Sequence, residues 1–149
     1  MQLTEHFSLA ELTATRTGIA NTPTGAEVAK LVKVAAMLEV IRAHYGRPIA
    51  VHSGFRSEAV NAAIGGSKTS QHMKAEAADF HVDGVALVEV FDWIRLTSGI
   101  PFGQLILEGA SPAHPTWLHM SLGVPYRASA RCGQAMRWDA EHGYRAVTG

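Results

Sequence analysis

Apolar residues recur at three-and-four spacing over one long stretch. Leu31, Val34, Ala35, Leu38, Ile41 and Tyr45 fall on one helical face, which predicts a helix from Thr24 or Gly25 to Tyr45. Gly46 and Pro48 stop it. Upstream, "SLAELT" from Ser8 to Thr13 reads as a short helix, with Ser8 as N-cap and Glu11 at the capping-box position. The polar run "TRTGIANTPTG" separates the two. "PIAVHS" has the character of a strand. "RSEAVNAAIGG" reads as a short helix starting at Ser57 and closed by Gly65 and Gly66. Ala77 to Val82 alternates: Ala77, Asp79 and His81 point one way, while Ala78, Phe80 and Val82 point the other. Val85 to Leu96 is a second amphipathic helix. "GQLILE" and "TWLHMSL" are two further strands around a loop rich in Pro, Gly and Ser. After Pro125 the chain is polar and basic with scattered aromatics, and its pattern fixes no element. There is no internal repeat or linker. The mixed order of helices and strands predicts one α+β domain, a small antiparallel sheet with flanking helices.

The two late strands make a geometric prediction. A hairpin centred between Ala113 and His114 puts Glu108 directly across from His119. Opposed residues of an antiparallel pair share a face, with Cβ atoms about 5 Å apart. A bulge or a shifted turn would change this register.

Length and composition then narrow the class. The 149 residues suit one domain with a real core, and 47% hydrophobic against 17% charged content is globular. Thirteen Lys and Arg balance thirteen Asp and Glu, so net charge gives no case for nucleic acid. The lone cysteine, Cys132, excludes an intrachain disulfide framework and a cysteine-rich zinc module. The N-terminal "MQLTEHFSLAELTATRTG" lacks the basic start and apolar run of a secretory signal. No stretch approaches the roughly 20 apolar residues of a membrane span. The expectation is synthesis in the cytoplasm, with any action outside depending on another route of release.

Eight histidines are the chemically informative surplus. A catalytic zinc site takes about three protein ligands from His, Asp, Glu and Cys. His72 at a loop-to-strand junction, Asp79 on the following strand and His119 on a later one can supply them. Glu108 is placed to take a proton from water, and Arg56 to stabilise a developing oxyanion. Spacing alone is weak support, since a His and an Asp seven apart arise often by chance. His81 and His52 are expected to be structural, and Trp117 to belong to the core. His6, His44 and His142 have no chemical companions. Gly65-Gly66 lacks the context of a phosphate loop. Arg127, Arg131, Arg137 and Arg145 form a basic tail, read as a solvated face or a contact to an anionic envelope surface.

Resemblance sharpens this reading. "SGFRSEAVNAAIGGSKTSQHMKAEAADF" resembles the core of the zinc D-Ala-D-Ala carboxypeptidases and their phage-endolysin relatives, including L-alanyl-D-glutamate endopeptidases. These share the hedgehog/DD-peptidase fold. The family pattern is Ser-x-His, two residues, Gly-x-Ala-x-Asp, then a later Trp-x-His. Ser70, His72, Ala77 and Asp79 match it in register, and Trp117-Leu118-His119 matches the late element. "SGFRS" upstream and "HFSLAEL" near the start extend the likeness over roughly residues 5 to 122, leaving 125–149 as an extension of unassigned role.

The resemblance implies one zinc ion held by His72, Asp79 and His119. It implies Arg56 at the substrate carbonyl or carboxylate, with Ser53 and Gln71 lining the cleft. Relatives often carry an acid three residues before the last histidine, where this chain has Thr116. Glu108 is the substitute that the hairpin offers as general base, and His114 is the alternative. The usual glycine is Ala75, so that turn either keeps a negative φ or carries strain. The implied activity is hydrolysis of peptidoglycan stem peptides at bonds involving D-amino acids, as a carboxypeptidase or an endopeptidase. The implied setting is a bacteriolytic phage or prophage lysin, monomeric and released by a holin. The other class is a wall-binding or virion module that keeps the fold and the metal without hydrolysis.

Overall fold

Capping starts the first helices. In the computed structural model, which describes residues 1–111, 113–123 and 133–148, the Ser8 side chain accepts from the Glu11 N–H while Glu11 reaches back, opening α1 (Leu9–Thr13). Thr24 and Glu27 repeat the device at α2 (Gly25–Tyr45), and Gly46 ends that helix in a left-handed conformation. Ser57 caps α3 (Glu58–Ala63). α4 runs from Leu87 to Leu96, starting two residues later than the pattern suggested, and no side chain caps it.

Six strands form one sheet: β1 (Ile49–Ser53), β2 (Ala77–Val82), β3 (Phe102–Ser111), β4 (His114–Leu122), β5 (Gln134–Asp139) and β6 (Gly143–Ala146). Their order across the sheet is β1-β2-β4-β3-β5-β6. The pairs are antiparallel except β3 with β5, which is parallel. The sheet is thus mostly antiparallel, not wholly so as expected, and it has two strands that the pattern after Pro125 did not reveal. Cys132, Arg127 and Arg131 lie outside the described residues. Arg145 is bound to Asp139 within the β5–β6 turn.

Alternation gives the sheet two faces. Ala78, Phe80, Val82, Leu105, Leu107, Leu118, Met120 and Leu122 are buried together with Leu31, Val34, Leu38 and Ile41 of α2 and Val90 and Ile94 of α4. Asp79 and His119 stand on the other face, directly paired across β2 and β4. The expected β2 alternation holds.

The β3–β4 register differs from the expectation by two residues. Glu108 faces Trp117, and Ile106 faces His119. The turn causes this: Ser111 pairs with His114, so the hairpin is centred one residue earlier than expected. The two register breaks beyond it, one of which leaves Thr116 as an extra residue between Trp117 and Pro115, cancel each other. A shift of two preserves side-chain direction. Glu108 therefore still shares the face of His119, but as its diagonal neighbour.

Gly54 ties the first layer to the site. A Cβ there would stand 2.3 Å from the Leu12 carbonyl oxygen, because the chain passes flush against the end of α1. Phe55 N–H donates to that same carbonyl at 2.7 Å. Gly54→Ala must push β1 and α1 apart, so denaturant unfolding should show a loss of about 1–3 kcal/mol. A variant as stable as the wild type would contradict this packing.

Candidate metal centre

The stretch from Ser70 to Asp79 is built as a turn feeding a strand. Ser70 Oγ accepts from the His72 N–H and starts a 3-10 turn over Gln71–Lys74. Ala75 ends it at φ 58°, the one positive-φ residue other than glycine among the described residues. An L-residue there is strained by about 1–2 kcal/mol. Of the two options the sequence left open for this turn, the strained one is realised. The Ala75 N–H bonds back to the His72 carbonyl, and Glu76 N–H to the Gln71 carbonyl. The chain leaves this knot as β2, with Asp79 on the face opposite the core.

Three of the predicted residues converge. Asp79 Oδ1 lies 3.1 Å from His72 Nε2 and 2.9 Å from His119 Nδ1. All three side chains are buried, and one ligand atom from each lies within 4.8 Å of the others. Each imidazole also has an acceptor at its outer nitrogen. His72 Nδ1 stands 2.7 Å from the Gly54 carbonyl, and His119 Nε2 stands 2.9 Å from Gln71 Oε1. A neutral imidazole has one N–H, and the outer acceptor claims it. The inner nitrogens then aim lone pairs at a carboxylate oxygen. Three electron-rich atoms pointing at one another require a cation between them, either a proton or a metal.

The donor set fits a metal. Two imidazole nitrogens and one carboxylate leave a fourth position open, the pattern of catalytic zinc centres. Tetrahedral ligands about 2.0–2.1 Å from zinc stand roughly 3.3 Å from one another, a few tenths beyond the distances found here. The outer-nitrogen acceptors are the supports that orient metal-binding imidazoles. Where protons rather than a metal supply the cation, burial acts to raise the pKa of Asp79, yet the charge of His72 and the hydrogen bonds from His119 and His72 outweigh it and hold the carboxyl well below the ordinary range.

Arg56 stands beside this cluster. Its backbone N–H bonds the His72 carbonyl, and its Nε donates to Ser53 Oγ at 2.9 Å. Nη1 reaches Asn61 Oδ1 at 3.3 Å and Nη2 reaches Asp79 Oδ2 at 3.4 Å. Burial lowers the guanidinium pKa, while the Asp79 and Glu108 charges oppose that. Ser53 therefore meets Arg56 and does not line the cavity, whereas Gln71 does line it. Thr116 and His114 are exposed, and neither lines the cavity.

Glu108 does line it. Its Oε2 accepts the Trp117 indole N–H at 2.6 Å, and the other oxygen takes no part in that bond. Burial and the Asp79 charge raise its pKa, with His119 and the indole hydrogen bond working against them. Diagonal neighbours of this kind stand roughly 7 Å apart, enough to admit a water and a carbonyl between Glu108 and His119. Trp117, expected in the core, is a cavity residue, because alternation puts it on the face of His119, two positions away.

The cavity measures about 730 Å³. Sequence reasoning missed Gln104 and Ile106 on β3, Gln134 and Met136 on β5, and Tyr144 on β6, all of which line it. The β3 residues share the parity of Glu108, a signal present in the sequence. The others depend on a parallel pairing that no local pattern announces.

The remaining histidines are held by neighbours. His52 Nε2 meets His81 Nδ1 at 2.6 Å, His6 pairs with Glu39, and His44 stacks on Trp93. Asp139, Glu141 and His142 also cluster, but Asp139 spends both oxygens on the turn, accepting from the Glu141 and His142 N–H groups, the His142 ring and Arg145.

Two outcomes follow. With its folded pKa depressed, Asp79 contributes stability that is present above its unfolded pKa near 3.8 and lost as pH falls below it. Denaturant unfolding of metal-free protein should therefore weaken from pH 6 to pH 3, with a shallower decline in Asp79→Asn. Equal declines would contradict the low pKa. Gln71→Ala should weaken zinc binding about 10–100-fold in a competition titration, through loss of the support on His119. Unchanged affinity would remove that role.

The comparisons agree with this geometry. No curated protein matches the chain. The family model described as Peptidase M15 matches residues 5–120, which include Arg56, His72, Asp79, Glu108 and His119. M15 peptidases depend on a metal, and the chain belongs to the peptidase M15 family as a metallopeptidase.

Proposed function

We propose that this protein is a zinc-dependent peptidase that cleaves stem peptides of peptidoglycan at a bond with a D-amino acid at or beside the cut. The observation that carries the reading is the pair of imidazoles, each supported at its outer nitrogen and aimed at a buried carboxylate, beside Glu108 in an open cavity. His72 through Nε2, His119 through Nδ1 and Asp79 through its carboxylate would hold the ion. When bound, zinc supplies Lewis acidity that polarises a carbonyl and acidifies water.

The protein's own groups do the rest. Glu108, partly desolvated and fixed by Trp117, takes the proton of the attacking water on its free oxygen and passes it to the leaving amine. Its raised pKa brings it closer to the neutral range where a base that must also act as an acid works best. Arg56, held by Ser53 and Asn61, stabilises the negative charge on the carbonyl oxygen or binds a substrate carboxylate. Gln71 keeps His119 turned and presents its amide to the cavity.

The wall context rests on the resemblance to endolysin-type enzymes, and the reading includes a phage or prophage lysin that reaches the wall once a holin opens the membrane. No helix among the described residues is long and apolar enough to cross a membrane. The alternative, a wall-binding or virion module without hydrolysis, rests on Thr116 standing where relatives carry an acid. The placement of Glu108 on the face of His119 favours catalysis.

Mass spectrometry of defined muropeptides should show cleavage by the zinc-loaded protein and none after chelation. Glu108→Gln should lower kcat about 10²–10⁴-fold while binding zinc as the wild type does. Full activity after chelation would overturn the metal mechanism, and full activity in Glu108→Gln would remove Glu108 as base.

A further inference from the structure

The matched family stretch ends at residue 120, yet the cavity does not. Its far wall is the β5–β6 hairpin, which lies beyond that stretch and adds two strands to the sheet. Met136 pairs with Ile106, and Gln134 with Gln104, so β5 carries side chains onto the cavity face at the level of His119 and beyond. Tyr144 on β6 is 59% exposed, and it lines the cavity.

The hairpin sets a length. From β4, which carries His119, to β6 is three strand spacings of about 4.8 Å, or roughly 14 Å. An extended peptide crosses that distance in roughly four residues. On the other side of the metal ligands Arg56 stands against Asp79, and β1 beyond it contributes no residue to the cavity lining. The cleft is therefore lopsided, short toward Arg56 and long toward Tyr144.

The chemistry of the long arm suits a peptide backbone and small side chains. Ile106 and Met136 offer an apolar floor for small side chains, and a flexible thioether adapts to their shape. Gln104 Nε2 bonds Gln134 Oε1 at 3.0 Å. Whichever way the two amides are turned, this bond leaves an acceptor on one and donors on the other, which matches one peptide group. The phenol of Tyr144 offers a ring face and a hydroxyl at the far end.

We propose that the β5–β6 hairpin is a substrate-recognising wall. Met136, Gln134 and Tyr144 bind the backbone of an extended peptide over three or more residues on the side of the metal ligands away from Arg56. This deepens the peptidase reading and rests on it. The protein then selects long stem peptides over short terminal fragments.

The test compares a tripeptide containing the scissile bond with the intact muropentapeptide. The wild type should favour the longer substrate in kcat/KM, and Tyr144→Ala and Met136→Ala should each lower the long-to-short ratio, by about tenfold for Tyr144. A purely structural role would lower both rates together and leave the ratio alone. Calorimetry with zinc-free protein gives a second readout: the muropentapeptide Kd should rise by a similar factor in Tyr144→Ala. An unchanged ratio and an unchanged Kd in both variants would overturn the wall while leaving the peptidase reading intact. Binding through Tyr144 without any cleavage would sustain the wall and overturn the peptidase reading. A wild type that does not bind the muropentapeptide would overturn the wall.

Discussion

A buried carboxylate governs this structure. Burying an ionised Asp costs several kcal/mol unless charge and hydrogen bonds replace the lost water. Asp79 is surrounded by partners that do so: His72, His119 and Arg56 all reach its two oxygens. Each is in turn held by something rigid. A backbone carbonyl holds His72, an amide holds His119, and a hydroxyl and a second amide hold Arg56. Without a cation at the centre, the two inner imidazole nitrogens and the carboxylate oxygen repel one another. A divalent ion held by all three would relieve that repulsion.

The surrounding fold keeps that cluster from relaxing. β2 and β4 pair Asp79 directly with His119, fixing one contact by backbone hydrogen bonds. The 3-10 turn and the left-handed Ala75 bring His72 back over the same strand. Gly54, pressed on the end of α1, sets the height of the carbonyl that orients His72. The strain at Ala75 is small beside the core that surrounds it, since Ala75 itself is fully buried among apolar neighbours. Pre-organisation is thus spread over a helix end, a turn and two strands.

Much of this was legible in the sequence because it is local. The capping box at Ser8, the α2 periodicity and the alternation of Ala77 to Val82 all appear as predicted. So does the convergence of His72, Asp79 and His119, which the motif pattern implied and the geometry supplies. The β3–β4 register was not legible, since the turn is centred one residue earlier than a hairpin between Ala113 and His114, and nothing in the composition marks that position. The shared face of Glu108 and His119 was still recovered, because a slip of two does not turn a strand over. Trp117 followed from the same parity, but its aromatic character argued for the core. The β5–β6 hairpin was invisible for a different reason. Its pairing with β3 is parallel and long-range, and its exposed polar positions carry no alternation of their own.

X-ray absorption at the zinc edge of the loaded protein tests the central claim most directly. The account predicts one ion with two imidazole nitrogens and a carboxylate oxygen at about 2.0–2.2 Å, with one imidazole lost from the shell in His119→Ala. A shell without imidazole scattering, or one that includes sulfur or is unchanged in His119→Ala, would contradict it.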